Sequence, residues 1–334
     1  MEKKKVIVAM SGGVDSSTAT ALLKERGYDV VGVFILMHEN GNPKDARRVA
    51  QKLKIPFKIL NVKREFKKKV IDYLVREYKK GNTPNPCIEC NKHIKFKFLF
   101  QEMNKLKADF IATGHYARNK NGKLLIARDK QKDQSYFLWQ LNQKQIAKII
   151  FPIGDYTKEE IRQMAKKFKL PVFEKKDSQE ICFIDTCIED FLRKYIKPQK
   201  GPIITTEGRK IGEHEGLEFY TIGQRKGIKV GGIGPFYVVQ KDFKNNALIV
   251  SNSQKDLLQK EMIVKKINWI SGKLFSGKCR VKIRSMAQIV SCRIFKIQNS
   301  KFKIKFLKPQ RAITSGQSAV LYKNNQILGG GIIC

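Results

Sequence analysis

Several things are scarce in this 334-residue chain. No apolar run approaches the roughly 18 residues needed to cross a bilayer. The longest are short, at residues 6–10 and 30–37. The N-terminal stretch has three lysines, but its apolar part runs straight into Ser11-Gly12-Gly13. That is too short for a secretory signal and has no small-residue cleavage pattern. These absences predict a soluble, cytoplasmic protein with no membrane contact. Cysteine is infrequent and odd in number, at seven, which argues against a disulfide scaffold. There is no fixed-period repeat and no low-complexity tract. The most telling absence is acid: residues 262–334 hold 15 Lys and Arg and not one Asp or Glu.

What is present is positive charge on a chain able to fold. Lys and Arg number 67 against 30 Asp and Glu, a net charge of +37, while 42% of residues are apolar. Wholesale disorder is therefore excluded. A field of one sign suits a polyanion. Nucleic acid fits better than a membrane surface, because no amphipathic lipid-anchoring helix stands out.

The first half alternates strand and helix signals. Short apolar strands are predicted at 6–10, 30–36, 57–60 and 110–113. Helices are predicted between them, at 16–26, from Pro43 to 53, at 65–80 closed by Gly81, and at 91–106 after a loop at 82–86. This alternation predicts a doubly wound parallel α/β sheet. Asn121-Gly122 is a hairpin signal, and Thr157-Lys158-Glu159-Glu160 is a capping box opening a helix. A further helix is expected at 188–195. From about Gly201 glycine becomes frequent, including Gly231, Gly232 and Gly234. Beyond it the period becomes two, as in Lys301-Phe302-Lys303-Ile304-Lys305-Phe306, with one face apolar and the other basic. The expected domains are a catalytic domain at 1–200, a small linking domain at 201–255 and a C-terminal antiparallel β-barrel at 256–334 carrying lysines outside.

Ser11-Gly12-Gly13-Val14-Asp15-Ser16 follows a strand and opens a helix. Glycines let backbone N–H groups turn inward, the helix N-terminus adds partial positive charge, and Ser11 and Ser16 supply hydroxyls, so the loop is an anion cradle. The spacing is not that of a Walker loop and lacks its lysine. It resembles the pyrophosphatase loop of enzymes that spend ATP to adenylylate a substrate. Asp15 is a candidate for Mg²⁺, since a carboxylate beside phosphate needs a cation between them.

Cys87-Ile88-Glu89-Cys90 precedes a helix rich in Lys92, Lys95 and Lys97. A thiol near a helix N-terminus and several ammonium groups is expected to have a depressed pKa and to be nucleophilic. The C-x-x-C pair is also compatible with half a zinc site or a redox pair. Cys182 is left unassigned by spacing alone. Cys279 and Cys292 occupy core-like alternation positions.

These residues and several others match one family. The chain resembles the bacterial tRNA-specific 2-thiouridylases (MnmA/TrmU type), which convert the wobble uridine of certain tRNAs to 2-thiouridine. The match includes the Ser11–Ser16 loop, Thr83-Pro84-Asn85-Pro86, Cys90-Asn91-Lys92 with Ile94-Lys95-Phe96-Lys97, Ala112-Thr113-Gly114-His115-Tyr116 and Lys132-Asp133-Gln134-Ser135-Tyr136. It continues through Lys176-Asp177-Ser178, Ile181-Cys182-Phe183-Ile184, Tyr220-Thr221-Ile222-Gly223-Gln224-Arg225-Lys226-Gly227 and Gly316-Gln317-Ser318-Ala319-Val320. The resemblance implies that Cys182 carries a persulfide and that Cys90 attacks it. It implies an ATP site from Ala9, Met10, Ser11, Gly12, Gly13, Val14, Asp15, Ser16, Ile35 and Gly114. Asn85, Pro86 and Cys87 fall at the target base, and His115, Lys132, Asp133, Gln134, Arg284, Ser285 and Gln317 at other tRNA contacts. The chain departs from the family at Cys87, where many members have aspartate, and at Ser285, where an aromatic residue often stands. It is also shorter after Leu36 and in the last domain.

The implied reaction uses ATP and Mg²⁺, with tRNA and a sulfur-relay donor protein or sulfide source as partners. A rival for the sulfur step is a [4Fe–4S] centre held by Cys87, Cys90 and Cys182. Two rivals of other classes are an adenylate-forming tRNA-modifying ligase that does not thiolate, and a passive RNA-binding protein.

Overall fold

A computed structural model describes residues 3–176, 181–228, 230, 235–298 and 300–334. Asp177 and Ser178 of the family match, and Gly231, Gly232 and Gly234 of the glycine-rich stretch, lie outside the described residues.

The strands β1 (Lys5–Ala9), β2 (Asp29–Leu36), β3 (Phe57–Asn61) and β4 (Phe110–Thr113) are followed by a hairpin of β5 (Ala117–Lys120) and β6 (Lys123–Ile126), then β7 (Ile149–Ile150). All but the hairpin form one parallel sheet in the order β3-β2-β1-β4-β7. Val6, Ile7 and Val8 are wholly buried because helices cover both faces, as a parallel sheet requires. The order reverses between β1 and β4, and in such sheets ligands bind at that crevice, beyond the carboxyl ends of the strands. The hairpin turn puts Asn121 and Gly122 at φ of 51° and 73°, the left-handed pair that Asn-Gly tolerates.

Two helices differ from expectation. The segment expected as one helix at 65–80 is α-helical at Lys63–Phe66, π-helical at Lys67–Ile71 and α-helical again at Asp72–Lys79. The helix expected from residue 91 starts earlier, at Pro86. Asn85 caps it, its side chain accepting from the Cys87 N–H at 3.1 Å, and Pro86 sits in the first turn, where a missing N–H costs nothing. Pro-Asn-Pro read as loop; its second proline is the helix start. The helix continues through a π-helical segment, Asn91–Phe96, to Lys105. The Thr157–Glu160 capping box forms as expected.

The next sheet has four strands, β8 (Gly201–Thr205), β9 (Lys210–His214), β10 (Tyr237–Asp242) and β11 (Ala247–Ser251), ordered β10-β11-β8-β9. Six antiparallel strands follow: β12 (Leu258–Trp269), β13 (Gly277–Lys282), β14 (Val290–Lys296), β15 (Phe302–Arg311), β16 (Ser318–Lys323) and β17 (Gln326–Ile333). They close on themselves, since β12 pairs with both β15 and β17. Phe302, Ile304 and Phe306 point inward among Val281, Ile294 and Leu321, so the period-two pattern is the barrel wall. Cys279 and Cys292 face each other across β13 and β14, buried in that core, with sulfurs 3.5 Å apart. The barrel is tied to the parallel-sheet domain. Gln326 of β17 pairs with Leu125 of β6, and a Cβ on Gly330 would lie 2.8 Å from the Trp139 ring. Among the described residues no helix is long and apolar enough to cross a membrane.

Candidate active site at the end of the parallel sheet

The chain leaves β1 at Ala9, turns through the 11–16 loop and enters the helix Val14–Glu25. The loop is fixed from within. The Ser11 N–H donates to Ser16 Oγ at 3.1 Å, and the Ser16 and Ser17 hydroxyls donate to the Gly13 carbonyl at 3.2 and 2.8 Å. Gly12 has φ of +77°, and a Cβ there would meet the Ala46 nitrogen at 2.9 Å. Gly114, beyond β4, lies against the same loop; a Cβ on it would be 2.8 Å from Ser16 N and Cα. Thus the loop and Gly114 meet at the switch point between β1 and β4, and small residues keep the cradle open to a phosphate chain. Ile35, on β2, is buried in the core cluster that also contains Cys90.

Two lysines missed in the sequence stand beside this loop. Lys158 Nζ lies 2.6 Å from Asp15 Oδ1, and the Tyr116 hydroxyl donates to the same oxygen at 2.9 Å. A lysine in a helix's first turn opposes the macrodipole, and Asp15 offsets that cost; this mismatch was the available signal. Lys175 Nζ lies 3.3 Å from the Gly12 carbonyl and 2.7 Å from Asp45 Oδ2. Asp15 therefore already has an ammonium on one oxygen, and Asp45, the second carboxylate against the loop, is tied to Lys175. That suits Mg²⁺ held chiefly by nucleotide phosphates.

The cysteine helix lies against the segment that follows β4, where Phe96 stacks on His115. Cys87 is half-buried, Cys90 buried and Cys182 exposed. Cys90 packs among Ile88, Ile94 and Phe96, and its Sγ is 3.6 Å from Met37 Sδ. Burial pushes the Cys90 thiol up to about 12, against the pull of Lys95. Desolvation likewise raises the Cys87 thiol and, to the extent that surrounding protein shields a residue otherwise open to solvent, the Cys182 thiol, and Lys95 opposes it at both. This corrects the expected depression. Lys92 and Lys97 are exposed on the helix, so of the three lysines only Lys95 faces the thiols, and desolvation outweighs one cation. The segment carrying Cys182 is anchored by its neighbours. Phe183 packs edge-on against Phe66 and Phe191, and Asp185 accepts from Asn40 at 2.7 Å. Cys90 and Cys87 are in electrostatic reach of Cys182 and of Lys95.

Several residues expected at tRNA contacts have their side chains turned to the fold. Asp133 accepts from the Ala127 N–H and the Ser135 hydroxyl, both at 2.9 Å, and burial raises its pKa. Gln134 accepts from the Tyr116 N–H at 3.0 Å. His115 accepts or donates at Thr113 Oγ1, 2.8 Å away, and stacks on Phe96. Burial, helped by Lys95, holds His115 down at about 3, so it is neutral. Asn85 is occupied as the helix cap, and Pro86 is buried. Gln317 reaches from the barrel to donate to the Thr83 carbonyl at 2.8 Å. Arg284 is exposed and Ser285 half-buried in the loop between β13 and β14, while Lys132, half-buried beside Asp133, donates its N–H to Asp129 at 3.2 Å. Among the described residues no three His, Cys, Asp or Glu side chains are disposed to hold a metal ion.

Comparison with known proteins adds the following. A family model described as the HUP domain of tRNA methyl transferase matches residues 4–186, its PRC-barrel domain 189–252, and an aminomethyltransferase β-barrel domain 259–333. A protein named tRNA-specific 2-thiouridylase MnmA from Buchnera aphidicola subsp. Schizaphis graminum is 45% identical, over 99% of this chain and 97% of that protein. The protein of that name from Clostridioides difficile is 41% identical, over 99% of this chain and 98% of that protein. Among solved structures, a 4-thiouridine synthetase–RNA complex with bound ATP matches with a TM-score of 0.38 and 19% identity, over 54% of this chain and 44% of that one.

Proposed function

The chain belongs to the tRNA-specific 2-thiouridylase family, and from that premise we propose that it replaces the C2 oxygen of a tRNA uridine, at the wobble position, by sulfur. The observation that carries the reading is the meeting, at one sheet end, of an anion cradle and a set of cysteines. The 11–16 loop and Gly114 supply the first, and Cys87, Cys90 and Cys182 around Lys95 the second. A family that only methylated RNA would have no use for both.

Oxide is a very poor leaving group, and ATP solves that problem. The uridine C2 oxygen attacks the α-phosphate, and pyrophosphate departs against the backbone donors of the 11–16 loop and the helix dipole. Lys158 and Lys175 lie where they add positive charge to that departure. Mg²⁺, when bound, supplies further charge neutralisation, with Asp15 the carboxylate beside it. The outer sulfur of a Cys182 persulfide then forms a bond to C2, and the C2–O bond breaks to release AMP. Cys90 attacks the Cys182 sulfur. The persulfide S–S bond breaks, its electron pair stays with the sulfur on C2, and a Cys90–Cys182 disulfide forms. The Cys90 proton ends on N3 of the base, which lost its own on adenylation. A dithiol reductant reopens the enzyme, and a sulfur-relay donor reloads Cys182.

In the rival for the sulfur step, Cys87, Cys90 and Cys182 would hold a [4Fe–4S] centre; the reading taken up routes the sulfur through the thiols themselves. The barrel, with its acid-free 262–334 segment, is assigned to tRNA and the 201–255 region to linking. Reactions on a base need it unstacked, and the Asn85–Cys90 turn is where the flipped uridine would lie.

The test is anaerobic incubation with ATP, Mg²⁺, tRNA and a persulfide donor, followed by nucleoside mass spectrometry. Uridine carrying sulfur for oxygen, absent with Cys182→Ser, supports the reading. ATP turnover with no thiolated uridine would move the assignment to a non-thiolating adenylate-forming ligase.

A further inference from the structure

We propose that Lys95 is the cation that holds the reacting sulfur anion, a positioning residue for the Cys182 persulfide and for the Cys90 thiolate that attacks it. The inference rests on the thiolation reading above and singles out, of the three lysines that follow the cysteine motif, the one that the fold turns toward the thiols.

The first observation is helical register. Cys90 closes the α-helical turn Pro86–Cys90, and the next six residues, Asn91–Phe96, are π-helical. In an α-helix a residue five places on lies far round the cylinder, whereas i→i+5 bonding stacks it close to the same face. The π segment therefore swings Lys95 onto the Cys90 side, while Lys92 and Lys97 stay exposed. π-Helical turns inside helices are frequent at functional sites.

The second observation is the company Lys95 keeps. It is half-buried, and among the described residues it has no hydrogen bond and no ion pair with a carboxylate. Charged and titratable groups face it from three elements. Cys87 and Cys90 come from its own helix, Cys182 from the segment before Phe183, and neutral His115 from the loop after β4. Burial works against its charge, and Cys90, Cys182 and Cys87 more than offset that, so its pKa is raised. A partly desolvated ammonium with no carboxylate beside it is costly, and the compensating anion available to it is sulfur.

The chemistry needs such a group. Each half of the sulfur step puts negative charge on sulfur in a site that desolvates it. The persulfide must be anionic to attack C2, and Cys90 must be anionic to attack Cys182. A fixed ammonium at the point common to both favours each anion without itself bonding to carbon or sulfur. Because Lys95 is the only cation reaching all three thiols among the described residues, one charge serves successive anions.

The experiment is alkylation of the full chain by iodoacetamide across a pH series. Cys90 and Cys182 are read by peptide mass spectrometry in wild type, Lys95→Met and Lys95→Arg. The expected result is that Lys95→Met slows labelling of Cys182 about tenfold at a fixed pH below the titration midpoint, a shift of about one pH unit. Lys95→Arg restores it, exposed Cys334 is unchanged as an internal control, and thermal melts of the Arg variant match wild type. In the thiolation assay Lys95→Met lowers kcat with KM for tRNA unchanged. Wild-type labelling at every pH in Lys95→Met would overturn the inference and leave the thiolation reading standing. Absence of thiolated uridine with the wild-type enzyme would instead remove the reading, and with it the role given to Lys95.

Discussion

The side-chain amide of Gln317 donates to the backbone carbonyl of Thr83 at 2.8 Å, from the barrel to the turn before the cysteine helix. The Thr83 N–H donates in turn to the Ser315 carbonyl at 2.8 Å, and its hydroxyl lies 3.2 Å from that of Thr221 in the middle region. All three parts of the chain therefore hold the strand of backbone that ends in the Asn85 cap. The position of Cys87 and Cys90 depends on how the barrel is docked.

Gln317→Ala is expected to test that dependence. Losing one partly buried hydrogen bond costs about 1 kcal/mol of stability. If the bond also aims the helix, kcat for thiolation falls more than stability explains, while ATP binding is unchanged. Equal small losses in both, read by denaturant melts and single-turnover rates, would make it a structural tie only.

Gly114→Ala places a methyl against Ser16 N and Cα, both at 2.8 Å. Backbone cannot yield as a flexible side chain does, so the 11–16 loop must shift. A displacement of that order at a phosphate site is expected to cost about 100-fold in pyrophosphate release. The same overlap is expected to cost about 1–3 kcal/mol of stability, so release is compared at a temperature where both proteins are folded. Wild-type pyrophosphate release would show that nucleotide does not use this loop.

His115 gives a pH prediction. Its folded pKa of about 3 lies below the ordinary 6.5. Between those values the unfolded chain binds a proton that the folded chain refuses. Stability is therefore fully present above about pH 6.5 and is lost as pH falls toward 3. His115→Gln should remove that loss, so urea midpoints of wild type and variant should diverge between pH 7.5 and 5.0, wild type dropping further. Parallel midpoints would contradict the burial assigned to this ring.

The barrel lysines divide. Lys301 and Lys305 are exposed, but Lys303 is paired with Glu261 at 2.9 Å. Replacing Lys301 or Lys305 by Gln should flatten the salt dependence of tRNA binding by about 0.7–0.9 per lost phosphate contact. Lys303→Gln should do much less. An unchanged slope for all three would mean that this face points away from RNA.

The legible part of this protein was periodic or local. Parallel strands are apolar throughout, barrel strands alternate, and the Asn121-Gly122 turn and the Thr157 cap each need only a few neighbouring residues. What the sequence hid was long-range or desolvation-dependent. Lys158 meets Asp15 across 143 positions, and no pattern connects them. The Cys90 thiol was misjudged because helix ends and lysines can be counted along a chain, whereas the Ile88, Ile94 and Phe96 packing that buries the sulfur cannot. The π register that separates Lys95 from Lys92 and Lys97 leaves no mark in composition. Asp133 and Gln134 matched a family motif, but their side chains turn out to hold the loop from Ala127 to Ser135 in place.

The central claim is that Cys90 and Cys182 end each turnover joined. The direct measurement is a single turnover with enzyme preloaded with persulfide, limiting tRNA, ATP and no reductant, quenched in acid and digested for peptide mass spectrometry. The account predicts a Cys90–Cys182 disulfide peptide in one-to-one amount with thiolated uridine. Thiolated uridine formed with both cysteines still reduced and unlinked would contradict it.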